Sequence, residues 1–181
     1  MVEIVLITGG ARSGKSSFSL SLGNRTFDEK IFIATAVPID DEMKDRIKKH
    51  KAEREGNFVT IEEPYKLHET INSFNYSKDI FIILDCITVW LGNLFHKYDS
   101  DTQIIDKEIA ALIFALNEYK VQGNGRFIII TNEVGSGIIP ENKMARDFRD
   151  IAGRLNQTLA KIADKVYLCV SGIPVKIKSG R

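Results

Sequence analysis

The residues best suited to chemistry form a glycine-rich stretch near the start of the chain. It runs Gly9, Gly10, Ala11, Arg12, Ser13, Gly14, Lys15 and Ser16. The spacing fits G-x-x-x-x-G-K-[ST], a phosphate-binding loop in which glycines free the backbone and main-chain N–H groups form a nest for a polyphosphate. Lys15 supplies a positive charge to the β- and γ-phosphates, and the Ser16 hydroxyl can bind Mg²⁺. The stretch therefore predicts binding of a nucleoside triphosphate.

The segments on either side have the pattern that such a loop requires. Val2–Ile7 is a run of apolar and β-branched residues, interrupted only by one Glu, as expected of a buried parallel strand. After the loop, Phe18 and Leu22 lie four residues apart and predict the start of a helix. A helix N-terminus directed at phosphate favours an anion, so this order of elements argues against a chance glycine-rich turn.

Two acidic residues are candidate ligand contacts. Asp85 ends the apolar run Ile80–Leu84, and an acid in this position helps to hold Mg²⁺ in phosphate-loop proteins. Asp is also a common turn residue, but the loop upstream favours the metal role. Glu62 lies in the segment 58–64, interpreted as a loop or an edge strand. Its carboxylate can accept hydrogen bonds from a ribose or a base, or it is ordinary solvated charge.

A histidine on a charged helix is a further candidate. The sequence from Ile39 to Glu55 predicts a helix that places His50 on its more apolar face. Arg46 and Arg54 each lie one turn from His50, and two neighbouring cations oppose protonation of the imidazole. A neutral imidazole is a nucleophile, and the same arginines can hold phosphates. The alternative is a surface or packed histidine on a charged helix, which spacing alone does not exclude.

Strand-like and helix-like stretches alternate along the chain. The predicted strands are Val2–Ile7, Ile31–Ala34, Ile80–Leu84, Phe127–Ile130 and Val166–Val170. Long amphipathic helices are predicted over 104–119 and 143–163. The alternation predicts a P-loop NTPase-like α/β fold, a mostly parallel sheet with helices on both faces. With 181 residues and no repeat or linker, residues 1–181 are expected to form a single nucleotide-binding catalytic domain.

The last long helix has a basic side. Arg146, Arg149 and Arg154 form it, either as a surface for phosphate or a partner, or as a solvated face. Asn132 and Glu133 lie at the end of the preceding strand, where an open α/β sheet forms its ligand crevice.

Composition limits the class of protein. A net charge of +1, with 44% apolar and 27% charged residues, gives no reason to expect nucleic acid or membrane as a partner. There is neither an apolar run long enough to span a membrane nor a signal-peptide pattern, so a cytoplasmic location is expected. Cys86 and Cys169 lie in apolar runs and are expected to be buried free thiols, whereas His68 and His96 are expected at the surface.

Several motifs together match one known family. They are residues 8–16, 33–36, 40–43, 46–47, 50–51, 84–88, 131–135, 140–142, 149–154 and 156–157. With these motifs the chain resembles, from end to end, the bifunctional adenosylcobinamide kinase / adenosylcobinamide-phosphate guanylyltransferase family of cobalamin biosynthesis. The phosphate loop is shared with many families, but the histidine helix and the block 132–154 are more specific. Small departures lie at Phe58, where Trp is frequent, and in the variable region 89–92.

The resemblance implies two reactions. In the first, ATP or GTP phosphorylates the terminal hydroxyl of the aminopropanol arm of adenosylcobinamide. In the second, GTP forms a guanylyl-histidine and pyrophosphate, and the GMP passes to adenosylcobinamide phosphate to give adenosylcobinamide-GDP. The resemblance also implies a homotrimer, and Mg²⁺ is the expected cofactor of the reactions.

The resemblance assigns the guanylylated histidine to His50, with Lys15 as the second catalytic residue. Ser16 and Asp85 are the predicted metal ligands. Besides residues 9–16, the implied nucleotide contacts are Ile33, Ala34, Thr35, Lys51, Ala52, Glu53, Arg54, Glu62 and Asp85. Two other functions stay open on the residues alone. One is a kinase for another small alcohol in which His50 is structural, and the other is a nucleotide-regulated switch protein.

Overall fold

A computed structural model describes residues 1–38 and 57–180 of the chain. Within these residues a seven-stranded sheet has the order β3-β2-β4-β5-β1-β6-β7, parallel except for the antiparallel pair β6 and β7. The strands are β1 (Glu3–Gly9), β2 (Glu29–Ala34), β3 (Val59–Glu62), β4 (Asp79–Asp85), β5 (Asn124–Ile130), β6 (Lys165–Val170) and β7 (Ile173–Lys178). The predicted α/β class and mostly parallel sheet are confirmed.

Five helices are present in the described residues. They are α1 (Lys15–Ser21), α2 (Leu67–Asn72), α3 (Ile87–Lys97), α4 (Thr102–Gln122) and α5 (Lys143–Ile162). The helix predicted to start after the phosphate loop, around Phe18 and Leu22, is confirmed as α1, and the helices predicted over 104–119 and 143–163 are confirmed to within a few residues. The helix predicted from Ile39 to Glu55 lies outside the described residues.

The core occupies both faces of the sheet. Along β4, Ile82 and Leu84 join a cluster with α3, α4 and α5, whereas Phe81 and Ile83 join a second cluster on the opposite face, where Phe18 of α1 packs. Because both faces of β4 are covered, its sequence from Ile80 to Leu84 is apolar at every position.

The two edge strands show what the sequence does and does not reveal. The segment 58–64 contains β3, so its interpretation as an edge strand is confirmed. β7 was not predicted. Its side chains are exposed on both faces except at Lys178, so it lacks the buried pattern by which a strand is recognised. Its Pro174 is tolerated because an edge strand can spare one backbone donor.

Among the described residues, no helix combines the length and apolar character that crossing a membrane requires.

Candidate active site

The glycine-rich stretch forms a loop between β1 and α1 whose path depends on two glycines. Gly9 has φ 149° and Gly14 has φ 92°, conformations that residues with a Cβ rarely adopt. A Cβ at Gly9 would overlap the carbonyl oxygen of Cys169 in β6, and one at Gly14 would lie 2.9 Å from Cα of Gly172. The loop is therefore packed against the end of β6 and the turn that follows it.

Lys15 is held inside this loop. The residue is 7% exposed, and its Nζ donates to the carbonyl oxygens of Gly10 at 2.7 Å and Gly9 at 3.1 Å. Ser13 Oγ lies 3.4 Å from the same nitrogen. The ammonium group therefore sits over the concave side of the loop, where the polyphosphate of a nucleotide is expected in such loops.

Ser16 and Asp85 meet across the sheet edge. Ser16 Oγ donates a hydrogen bond of 2.9 Å to Asp85 Oδ2, although 69 residues separate them. Both groups offer oxygen, the ligand that Mg²⁺ prefers, and Mg²⁺ is usually held by one or two protein groups together with substrate phosphates and water. The described residues contain no cluster of three or more His, Cys, Asp or Glu side chains that could hold a metal by themselves. The pair thus fits a metal shared with a nucleotide.

The strand ends place the other acidic candidate on the same edge. In the registers of β2, Ala34 is opposite Glu62 of β3 and Asp85 of β4. Neighbouring strands lie about 4.8 Å apart, so the backbones of Glu62 and Asp85 are separated by about 10 Å. The structure brings Glu62, Ala34 and Asp85 into one row at the carboxyl edge, where nucleotide sites of α/β sheets form.

Thr35 and Asn93 fix the backbone beside this row. Thr35 is fully buried, and its hydroxyl donates to the Cys86 carbonyl and accepts from the Cys86 N–H, each at 2.9 Å. Asn93 of α3 donates to the carbonyl oxygens of Thr35 at 2.7 Å and Pro64 at 3.1 Å. Ile33 is also fully buried, in the sheet. These contacts hold the ends of β2, β3 and β4 in place.

A closed ring of hydrogen bonds positions the end of β5. The Asn132 N–H donates to Thr88 Oγ1 at 2.7 Å, and Thr131 Oγ1 donates to Asn156 Oδ1 at 2.8 Å. The two threonine hydroxyls lie 3.1 Å apart. Because the Thr131 proton is already used, Thr88 is the donor between them. Asn156 Nδ2 closes the ring on the Asn132 carbonyl at 3.3 Å.

This ring connects α3, β5 and α5 close to the phosphate loop, since the Glu133 N–H donates to the Gly9 carbonyl at 3.1 Å. No pattern in the sequence predicts a structural role for these side chains. The only signal was that Thr88, Thr131 and Asn156 belong to the matching motifs.

The cysteines are excluded as nucleophiles. Both are buried and free, as predicted. Burial, reinforced by the charge of Asp85, raises the pKa of the Cys86 thiol to about 12, and burial also raises the pKa of Cys169. Neither forms appreciable thiolate near neutral pH, and the thiolate is the reactive species.

The histidines divide into three cases. His96 is exposed, as predicted. The prediction of a surface position for His68 is wrong in part, because its side chain is 22% exposed and its Nδ1 is buried, 3.7 Å from Glu108 Oε2 of α4. His50 lies outside the described residues, as do Lys51, Ala52, Glu53 and the flanking Arg46 and Arg54.

Comparison with known proteins identifies close relatives of the whole chain. The sequence model of a family described as cobinamide kinase / cobinamide phosphate guanyltransferase matches residues 5–177. The bifunctional adenosylcobalamin biosynthesis protein CobU of Escherichia coli is 40% identical over 186 residues, covering 97% of this chain and 99% of that protein. The CobU protein of Salmonella typhimurium is 41% identical with the same coverage, and the CobP protein of Pseudomonas aeruginosa is 38% identical, covering 96% of each chain.

Solved structures of more distant proteins share the fold. A type III secretion system ATPase has a TM-score of 0.58 at 10% identity, covering 96% of this chain and 56% of its own. The RadB recombinase has a TM-score of 0.53 at 14% identity, covering 92% of this chain and 73% of its own. At such low identity these likenesses concern the fold alone.

Proposed function

The chain belongs to the cobinamide kinase / cobinamide phosphate guanyltransferase family, and we propose that it carries out both reactions of that name. It phosphorylates adenosylcobinamide with ATP or GTP and then transfers GMP from GTP to adenosylcobinamide phosphate. The observation that carries the proposal is the Ser16–Asp85 pair beside a complete phosphate loop in a chain that matches this family over residues 5–177. The whole chain acts as one catalytic domain.

In the kinase step, the oxygen of the acceptor hydroxyl attacks the γ-phosphorus in line with the departing nucleoside diphosphate. The new O–P bond forms as the bridging P–O bond to the β-phosphate breaks, and the hydroxyl proton is released to water. Residues 9–16 bind the polyphosphate, and Lys15 stabilises the charge on the transferring group. Ser16 and Asp85 would hold Mg²⁺, which would supply positive charge to offset the negative charge of the nucleotide phosphates. The position of Lys15 Nζ within the loop supports its role, because the ammonium is already directed at the site of the phosphates.

In the transfer step, a neutral His50 attacks the α-phosphorus of GTP and pyrophosphate leaves. A phosphate oxygen of adenosylcobinamide phosphate then forms a new P–O bond as the P–N bond to His50 breaks, and the electron pair returns to the imidazole. A covalent intermediate divides the transfer into two displacements at phosphorus. The sequence supports this role through the motif around His50 and its flanking arginines. The unreactive Cys86 and Cys169 thiols leave histidine as the better nucleophile.

The remaining nucleotide contacts are proposed on the same basis. They are Ile33, Ala34, Thr35, Lys51, Ala52, Glu53, Arg54 and Glu62. Ile33 and Thr35 are fully buried, so they position the partly exposed Ala34 between them from below the surface of the site. The exposed Glu62 at the end of β3 can reach a ribose or base.

We also propose a homotrimer in the cytoplasm. Ile173, Val175 and Ile177 of β7 are 65%, 47% and 60% exposed and alternate along the strand, so they share one face. A contiguous apolar face of this kind is typical of a surface that contacts another chain. Size-exclusion chromatography with light scattering measures the mass of the particle. A mass of three chains agrees with the proposal, and a stable monomer contradicts it.

The test of the guanylyl transfer is incubation with α-labelled GTP and Mg²⁺, followed by denaturation. We expect label on the protein that is lost in acid and retained in alkali, as a phosphoramidate requires. The kinase step is tested separately with adenosylcobinamide and γ-labelled ATP or GTP. Lys15→Ala is expected to lose nucleotide affinity and nearly all kinase activity, whereas Lys161→Ala, an exposed charge on α5, retains both. Wild-type protein that neither takes up label nor phosphorylates adenosylcobinamide would contradict the proposal.

A further inference from the structure

A cavity separate from the phosphate loop lies between α5 and the loop that follows β5. Its volume is about 570 Å³, within the range of small-molecule sites. Arg149, Asp150, Arg154 and Gln157 line it from α5, and Gly135 and Ile139 line it from the loop. Arg149, Gly153 and Gln157 are spaced four residues apart, as are Asp150 and Arg154, so these residues lie on one side of the helix.

The cavity has the chemistry of an anion site. The Arg154 and Gln157 side chains make no hydrogen bond or ion pair with any residue of the described segments 1–38 and 57–180, although both line the cavity. Arg149 contacts Asp150 Oδ1 only at 3.4 Å, through both Nε and Nη2. Two arginines and one aspartate leave a formal charge of +1. An arginine fork can bind phosphate oxygens in pairs, which a surface lysine does not do.

The cavity adjoins the phosphate loop through fixed contacts. β5 pairs directly with β1. Glu133, two residues before the lining residue Gly135, donates a hydrogen bond from its N–H to the Gly9 carbonyl. On the other wall, the lining residue Gln157 follows Asn156 directly in sequence. The Asn156 side chain accepts a hydrogen bond from Thr131 and donates one to the Asn132 carbonyl. Both walls of the cavity are therefore anchored to the carboxyl edge of the sheet, one strand from the loop that carries Lys15.

We propose that this cavity binds the phosphate monoester of the phosphorylated acceptor, with Arg149 and Arg154 as its ligands. The inference rests on the proposed function, in which the second reaction uses an acceptor that carries its own phosphate. The nucleotide phosphates already have a nest in residues 9–16, so a second cationic site beside them suits a second phosphate. A corrinoid is far larger than 570 Å³, so the cavity takes only the phosphorylated arm, with Ile139 in contact with its hydrocarbon part.

The cavity thereby distinguishes the two acceptor forms. The unphosphorylated arm offers a neutral hydroxyl and gains little from two guanidinium groups. The phosphorylated arm forms charge-assisted hydrogen bonds, which are about twice as strong as neutral ones. The cavity thus retains the product of the first reaction as the substrate of the second.

The test measures binding of three probes, adenosylcobinamide, adenosylcobinamide phosphate and GTP, by calorimetry. The variants are Arg149→Gln and Arg154→Gln. Lys161→Gln is the matched control, because it removes one positive charge from the same helix outside the cavity. We expect each arginine variant to bind adenosylcobinamide phosphate about tenfold or more weakly, the range for one charged hydrogen bond. Binding of adenosylcobinamide and GTP should change less than about threefold, since neither uses the charged cavity.

The outcomes separate the possible sources of phosphate. A loss confined to GTP would assign the cavity to the nucleotide and overturn the proposal. Equal losses for both acceptor forms, or no loss at all, would also overturn it. If wild-type protein phosphorylates adenosylcobinamide and makes adenosylcobinamide-GDP while the variants bind normally, only the cavity assignment fails. If wild-type protein does neither and binds no acceptor, the proposed function and the cavity assignment fail together.

Discussion

Ser16 donates its hydroxyl proton to Asp85 across 2.9 Å, joining the first turn of α1 to the end of β4. α1 follows β1, and β5 lies between β1 and β4 in the sheet. The contact therefore crosses the carboxyl edge of the sheet from one strand to the next but one. The pair brings one neutral and one anionic oxygen to the mouth of the phosphate loop. A Mg²⁺ ion that also binds the nucleotide phosphates can use both oxygens.

If both oxygens serve one ion, their effects on the kinase rate are coupled. Ser16→Ala and Asp85→Asn should each lose most of the rate, and the double variant should lose little more. The expected coupling free energy is about 0.5–3 kcal/mol, the range for residues in one network. As a control, Ser21 lies on the same helix but is exposed, with its hydroxyl bonded to the Phe18 carbonyl. Ser21→Ala should combine additively with Asp85→Asn, and additive losses for Ser16 would show that no ion is shared.

The shape of the phosphate loop depends on Gly14. Gly14→Ala would put a residue with a Cβ into a backbone conformation with φ 92°, and that Cβ would lie 2.9 Å from Cα of Gly172. The Gly172 N–H donates to the Ser13 carbonyl, so the turn is tied to the loop. We expect a loss of about 1–3 kcal/mol in the free energy of unfolding, measured by urea denaturation. Gly10→Ala is the matched control for stability, since a Cβ there meets nothing within 4 Å. Equal stability of the two variants would mean that the turn after β6 does not constrain the loop.

The fold was predictable where burial marks every residue of an element. β4 is apolar throughout because both of its faces are covered, and Asp85 stands out at its end. β7 could not be recognised, because nearly all of its side chains are exposed and nothing along the strand distinguishes inner from outer positions. Its position at the sheet edge follows from the two-residue turn Ser171–Gly172, in which both residues have positive φ.

The site was predictable where a motif specifies it and not where distant residues meet. The approach of Ser16 and Asp85 was expected, because the loop motif and the rule for strand ends both point to the same edge. The Thr88–Thr131–Asn156 contacts join three elements, and small polar residues have no periodicity that predicts partners. His68 was misjudged for a similar reason. The sequence of α2, which carries His68, is mostly polar and therefore predicts a surface position. Glu108, which lies against the His68 side chain, is on α4, 40 residues away in sequence.

Glu108 provides a pH dependence of stability. Burial opposes its charge, but hydrogen bonds from Lys66 at 2.5 Å and Tyr98 at 2.9 Å outweigh burial and lower the pKa of the carboxyl. Because the folded pKa lies below the unfolded value of about 4.3, ionised Glu108 stabilises the fold above that pH. This contribution is lost as the pH falls through the folded pKa.

Glu108→Gln should therefore lower the free energy of unfolding near pH 7 by about 1–3 kcal/mol, as for a buried charged hydrogen bond. Its stability should also fall less steeply than that of wild type between about pH 5 and pH 3. The measurement is chemical denaturation at a series of pH values. Glu69→Gln is the control, because that side chain is 68% exposed. Parallel pH profiles for wild type and Glu108→Gln would contradict the assignment.

His50 separates the two proposed activities within one chain. His50→Ala removes the nucleophile of the transfer reaction but leaves the phosphate loop and Asp85, the parts that a direct kinase step needs. The variant should retain no GMP after denaturation and make no adenosylcobinamide-GDP, yet it should still phosphorylate adenosylcobinamide. Retained label in this variant would show that another residue is the acceptor.

The other two histidines complete the test. His96→Ala removes an exposed side chain and should label like wild type. His68→Ala removes a half-buried side chain next to Glu108, so its label is compared at equal concentrations of folded protein, where it should also match wild type. If His68→Ala or His96→Ala loses the label while His50→Ala retains it, the substituted histidine is the nucleophile and the assignment to His50 is wrong. If His50→Ala loses kinase activity as completely as transfer, the imidazole also binds the nucleotide, because only a shared role in binding would abolish a step that needs no nucleophile from the protein.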